Sequence, residues 1–275
     1  MSAAPNSALP DSVPTGRTSF RTLIGAPDAE YFTYLPPAAS AASPVVVLVH
    51  GITRNAAEHV FRFAAAADCA NAILVAPLFT KASYGQYQQV VDGARGVQAD
   101  LALFDMLTAV AAATGADTRR VHLFGFSGGA QFAHRFMMLH PERVAALAVA
   151  AAGWYSFPDP DLPYPFGIGS HPIPGGRFDA EQFLAIPRHV LVGDRDVARD
   201  EALRTGRRLD QLQGRNRLER ARAWSAAMDK AAETRGIATR TTLSLLAGGS
   251  HSFTQAAERL GLPELAFRNF GILQQ

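Results

Sequence analysis

A serine, a histidine and an aspartate, each in a turn-forming stretch, could together do nucleophilic chemistry. Ser127 sits in Gly125-Phe126-Ser127-Gly128-Gly129, a G-x-S-x-G spacing. A serine that leaves a strand and enters a helix within about two residues occupies a strained turn, and small neighbours let strand and helix approach. Its hydroxyl then stands proud of the sheet edge. The Gly128 amide falls at the positive end of the following helix, where a developing oxyanion is stabilised.

A serine hydroxyl is a poor nucleophile at neutral pH and needs a base. Of the eight histidines, His251, in Gly248-Gly249-Ser250-His251, is the one in a loop directly after a strand late in the chain. His122 and His189 start strands, His59, His134 and His140 belong to helices, and His171 lies in a proline-rich segment. His50 follows a strand too, but the adjacent Gly51 points to a structural or oxyanion-loop role. The imidazole needs a carboxylate to hold one tautomer and stabilise its positive charge. Asp194 and Asp196 both follow the apolar run Val190 to Val192; Asp196, deeper in the loop, is the favoured acid and Asp194 the turn holder. A plain turn role stays open for both. Two preorganised donors are expected for the oxyanion, the amides of Gly128 and of Ile52 in His50-Gly51-Ile52-Thr53, with Thr53 as the alternative to Ile52.

The elements needed to position these residues are visible. The elbow serine follows the apolar run Val121 to Phe124, and after it Ala130 to Leu139 carries apolar residues at helical spacing, ending before His140-Pro141. Val45 to Val49 and Ala72 to Ala76, closed by Pro77, read as strands buried on both faces. Tyr31 to Leu35 alternates and stops at Pro36-Pro37, as an edge strand would. Strands are further expected over 144–152, 189–193 and 241–246, and helices over 56–69, 100–113 with Gly115 as the stop, and from Asn216 as N-cap to about Arg235. Two short helical segments close the chain. Alternation of strand and helix implies a mostly parallel central sheet with helices on both faces, an α/β fold with sites at the carboxyl ends of strands.

At 275 residues the chain suits one large domain. Residues 1–20, rich in Ala, Pro, Ser and Thr, read as a flexible tail without the pattern of a secretory signal, and 21–275 as the domain. With no apolar window of membrane-span length, a soluble cytoplasmic protein is expected, a processed mature form fitting as well. The single Cys69 agrees with a reducing compartment and reads as a small core residue. A net charge of +2 argues against nucleic-acid binding. Arginines cluster, however: residues 195–222 hold nine against five acids, a pattern read foremost as a solvated helical face with intrahelical ion pairs. From Trp154 to Pro187 the sequence turns proline- and aromatic-rich, as lid or binding insertions do. Trp154 and Tyr155, just after a strand, are candidate substrate-binding residues; the aromatics of this segment fit a pocket or its own small core equally.

The order Ser127, Asp196, His251, the His50-Gly51 dipeptide, the glycine-rich elbow and the terminal Gly-Gly-Ser-His-Ser-Phe together resemble the α/β-hydrolase fold over roughly residues 31–270, and within it the serine esterase and polyhydroxybutyrate-depolymerase-like branch. The resemblance implies ping-pong hydrolysis of a small-molecule or oligomeric carboxylic ester through an acyl-enzyme, with no metal and no organic cofactor. A thioester, or amide or ester bonds in an anionic oligomer, are alternative substrates, the latter motivated by the arginines. A homodimer is compatible with the sequence. A non-catalytic receptor of the same fold is the remote alternative, disfavoured because all three candidate residues stand in register. The departure from many members is that the insertion is Pro- and aromatic-rich where they carry a helical cap.

Overall fold

The computed structural model describes residues 14–92, 96–171 and 173–273; most of the expected tail lies outside them. An eight-stranded sheet organises the molecule. In chain order the elements are β1 (Thr18–Leu23), β2 (Ala26–Tyr34), β3 (Val45–Val49), α1 (Ala56–Ala70), β4 (Ile73–Leu78), a small hairpin of β5 (Val91–Asp92) and β6 (Val97–Gln98), and α2 (Ala99–Thr114). They continue with β7 (Val121–Phe126), α3 (Gly128–Leu139), β8 (Val144–Ala150), α4 (Ala180–Leu184), β9 (Arg188–Gly193), α5 (Arg207–Gln213), α6 (Arg217–Thr234), β10 (Thr241–Leu246), α7 (Phe253–Arg259) and α8 (Leu262–Phe270).

The sheet order is β1-β2-β4-β3-β7-β8-β9-β10. All pairs from β4 to β10 are parallel, whereas β1 and β2 enter antiparallel. Side-chain alternation explains why the central strands are apolar at every position: Val45, Val47 and Val49 face one core while Val46 and Leu48 face the other. The first core is covered by α2, α3 and α6 through residues such as Leu103, Phe136 and Trp224. The second is covered by α1 and α8, with Phe63 and Phe267 at its centre. On that side β8 presents Ala146, Ala148 and Ala150, small residues that let α8 pack close to the sheet.

Several expectations are corrected. β1 begins at Thr18, inside the expected tail, so the domain starts earlier than residue 21. Its sequence, Thr-Ser-Phe-Arg-Thr-Leu, hides it, because the strand is largely exposed and carries no buried alternating face. With β1 at the margin, the Tyr31 segment is second from the edge, bonded on both sides. Cys69 is exposed on α1, not in the core. The arginine-rich stretch is not one solvated helix face: Arg217 and Arg220 are buried and bridge to aspartates in other segments.

The insertion is fastened rather than loose. Tyr155 exchanges two backbone hydrogen bonds with the Gln213 side chain. The Ser156 amide donates to His134 Nε2 (2.9 Å), and its carbonyl accepts from the Trp224 indole (2.8 Å). Helices α3 and α6 thus hold the root of the segment expected to be a lid.

Candidate active site

The turn from β7 to α3 is tight enough to exclude side chains at two positions. A Cβ on Gly125 would stand 2.3 Å from the Gly129 carbonyl oxygen, and one on Gly129 would stand 2.0 Å from the Val49 oxygen. Ser127 between them has φ 52° and ψ −111°, a conformation that costs a non-glycine residue about 1–3 kcal/mol and must be held by its surroundings. Here β8 holds it, the Ser127 amide donating to Ala150 O at 2.8 Å.

Ser127 Oγ lies 3.1 Å from His251 Nε2, and His251 Nδ1 lies 2.8 Å from Asp196 Oδ2. An ionised carboxylate only accepts, so Nδ1 carries the hydrogen and Nε2 faces the serine hydroxyl as acceptor. The imidazole is also held by packing, with the Phe126 ring stacked at 5.3 Å. The carboxyl ends of β9 and β10 meet closely enough to join these side chains: a Cβ on Gly193 would lie 2.1 Å from the Gly249 oxygen. Asp194 stitches that junction, accepting from the Gly248 amide at 2.8 Å. Of the two candidate aspartates, then, Asp196 meets the imidazole and Asp194 holds the turn.

The loop after β3 lies against the elbow. A Cβ on Gly128 would be 3.3 Å from the Ile52 amide nitrogen, so the two residues expected to supply the oxyanion donors pack against each other. His50 braces this loop. The Phe79 amide donates to its Nε2 (3.0 Å), so Nδ1 carries the hydrogen and donates to Gly51 O (2.8 Å). Burial pushes His50 down to about 4, keeping it neutral. Tyr87 adds a second brace, its hydroxyl donating to His50 O at 2.8 Å. The structural role of His50 agrees with the sequence expectation; that of Tyr87, a tyrosine in the loop after β4, was not foreseen.

A cavity of about 320 Å³ opens at Ser127. Ile52, Phe126 and Phe253 give it an apolar wall, while Thr53, Asn55, Glu58 and Thr254 give it a polar one. Among the described residues no cluster of His, Cys, Asp and Glu is arranged to hold a metal ion.

No family model and no curated protein sequence matches the chain. Solved structures do. Poly(aspartic acid) hydrolase-1 from Sphingomonas sp. KT-1 superposes with TM-score 0.76 at 24% identity, over 90% of this chain and 99% of that one. A poly(3-hydroxybutyrate) depolymerase from Bordetella parapertussis gives 0.73 at 29% identity, covering 90% and 85%. An S-formylglutathione hydrolase from Agrobacterium tumefaciens gives 0.60 at 16% identity, covering 94% and 95%. The chain has the α/β-hydrolase fold. The turn after β7 and the loops after β9 and β10 bring Ser127, Asp196 and His251 together at the carboxyl edge of the sheet.

Trp154 and Tyr155 do not line this cavity, nor does any described residue of 154–187. Both are buried. Tyr155 stacks on Trp224 of α6 at 4.8 Å and belongs to the main core, and the Trp154 ring lies 4.4 Å from the guanidinium of Arg135, 4.8 Å from that of Arg204 and 5.2 Å from the Phe166 ring. Packing against α3 and α6 and against the insertion, and not a substrate, accounts for both. The cavity wall contains residues not foreseen, Phe253 and Ala202 among them. Phe253 closes the Gly-Gly-Ser-His-Ser-Phe stretch two residues after His251, which is the sequence signal for its place.

Proposed function

We propose that the protein is a serine hydrolase of carboxylic esters. Ser127 attacks the ester carbonyl while His251 Nε2 takes the hydroxyl proton and Asp196 stabilises the resulting imidazolium. The amides of Ile52 and Gly128 bind the oxyanion, a pair of which each typically supplies about 3–4 kcal/mol of transition-state stabilisation. The imidazolium then protonates the leaving alcohol, and water deprotonated by His251 releases the acid from the acyl-enzyme. The observation that carries the reading is the continuous Ser127–His251–Asp196 hydrogen-bond chain at the end of a strained elbow. The likeness to a poly(3-hydroxybutyrate) depolymerase supports it. A cavity of about 320 Å³ suits a short acyl or small aryl group. Turnover of nitrophenyl acetate with a burst of about one equivalent of nitrophenol, lost in Ser127→Ala, supports the reading. Equal turnover by both proteins refutes it.

A second reading of the same site is cleavage of amide or ester bonds in an anionic oligomer. The loop between β9 and α5 places Ala202 in the cavity wall and exposes Arg204, and the start of α5 exposes Arg207 and Arg208; none of the three forms a salt bridge among the described residues. The likeness to a poly(aspartic acid) hydrolase points the same way. Raising salt would then increase KM for an anionic oligomer but not for a neutral nitrophenyl ester, because exposed charges are screened within about 10 Å at 0.1 M. Equal salt responses remove this reading.

A further inference from the structure

Beyond the Ser127–His251–Asp196 chain, the acid has a second buried partner. Arg217 Nη1 lies 3.4 Å from Asp196 Oδ1, the oxygen that His251 leaves free. The same guanidinium grips Asp200 through two bonds, Nη1 to Oδ2 at 2.8 Å and Nη2 to Oδ1 at 2.9 Å. The side chains of Arg217 and Asp196 are 1% and 0% exposed, whereas that of Asp200 is 40% exposed.

Helix stability does not explain Arg217. It is the first residue of α6, the positive end of the helix, where a cation is unfavourable. The cap is supplied by Asn216, whose side chain accepts from the Glu219 amide. Arg217 Nε is buried and has no hydrogen-bond partner among the described residues, a further cost. A buried cation at the wrong end of a helix, aimed at the acid that meets His251, is therefore placed for that acid.

We propose that Arg217 is a positioning residue that turns Asp196 toward His251 and, balanced by Asp200, sets the pH at which His251 becomes free to act as base. The inference rests on the hydrolase reading above. Arg217 offsets the negative charge of Asp196 and so opposes protonation of the imidazole; Asp200 offsets Arg217 and acts in the opposite sense. The other charged groups packed near the ring come from different elements. On α1 they are Glu58, bonded to Asn55 and Thr254 and paired with Arg62, and His59, which burial pushes down to about 3. In the turns they are Asp194 on the Gly248 amide and the exposed Arg195. Among the described contacts, none of these groups bonds to Arg217 or Asp200.

The test follows fluorophosphonate labelling of Ser127 as a function of pH, which needs no knowledge of the substrate. Arg217→Met is expected to move the acidic limb of the labelling rate up, and Asp200→Asn to move it down. Each shift should be roughly 0.5 to 1 pH unit, as for one charge about 10 Å away at an effective dielectric constant of about 20 to 40. Arg217→Lys keeps the charge but not the fork, so the limb should stay near wild type while the plateau rate falls. Limbs that coincide in all variants, or that move the same way in Arg217→Met and Asp200→Asn, overturn the proposal and leave Arg217 a structural tie. If Arg217→Met does not fold, the direction of the shift in Asp200→Asn, a half-exposed site, decides alone. Wild-type protein that does not label at all refutes the hydrolase reading instead.

Discussion

Replacing His50 by leucine isolates the brace behind the oxyanion loop from the chemistry itself. The ring is fully buried and makes two hydrogen bonds, from the Phe79 amide and to the Gly51 carbonyl. Leucine occupies a similar volume but leaves the Phe79 amide without a partner, while Gly51 O keeps its bond from the Arg54 amide, so unfolding free energy should fall by roughly 1–3 kcal/mol. Because burial already keeps His50 neutral, no charge is lost at pH 7. The functional effect runs through position: Gly51 sets the Ile52 amide, and loss of one oxyanion donor costs about 100- to 1000-fold in kcat. Tyr87→Phe, which removes the bond to His50 O, should act in the same direction more weakly, and the two effects should be non-additive because they share one loop. The assay pairs urea denaturation with kcat on a nitrophenyl ester at a temperature where the variant is folded. A folded His50→Leu protein with kcat within about threefold of wild type would refute the bracing role.

Asp196→Asn should lower kcat by about 10⁴-fold, since it removes the carboxylate that fixes the His251 tautomer, while Asp194→Asn, which touches only the Gly248 turn, should cost less than about tenfold; ester kinetics on both variants compare them. Acid stability gives an independent check. Burial pushes His50, His122 and His189 down to about 4, His59 to about 3 and His134 well below 6.5. The unfolded chain protonates these five rings below about pH 6.5 while the folded state keeps them neutral, so their contribution is whole above pH 6.5 and lost as the pH falls toward 4. Each ring adds at most about 1.4 kcal/mol per pH unit. Urea denaturation at pH 7.5, 6 and 5 should show stability dropping steeply below 6.5, and a flat profile would contradict the buried neutral histidines.

What could be read in advance was local. The elbow, the late histidine and the tandem aspartates each sit in a short turn next to an apolar strand, so residue type and neighbours mark them, and the buried runs of β3 and β7 advertise a sheet covered on both faces. Features set by distant packing were not legible. β1 is largely exposed and shows no alternation. Trp154 follows a strand, as site residues often do, but the guanidiniums of Arg135 and Arg204 packed on its ring hold it away from the cavity. Arg217 looked like one charge among nine; only the fold reveals that it is buried against Asp196.

The most direct test of the central claim is the site of covalent modification by a fluorophosphonate, read by peptide mass analysis on the native protein and on Ser127→Ala. One adduct per chain on Ser127, absent in the variant, is the predicted result. An unlabelled native protein, or an adduct carried by another residue, would contradict it.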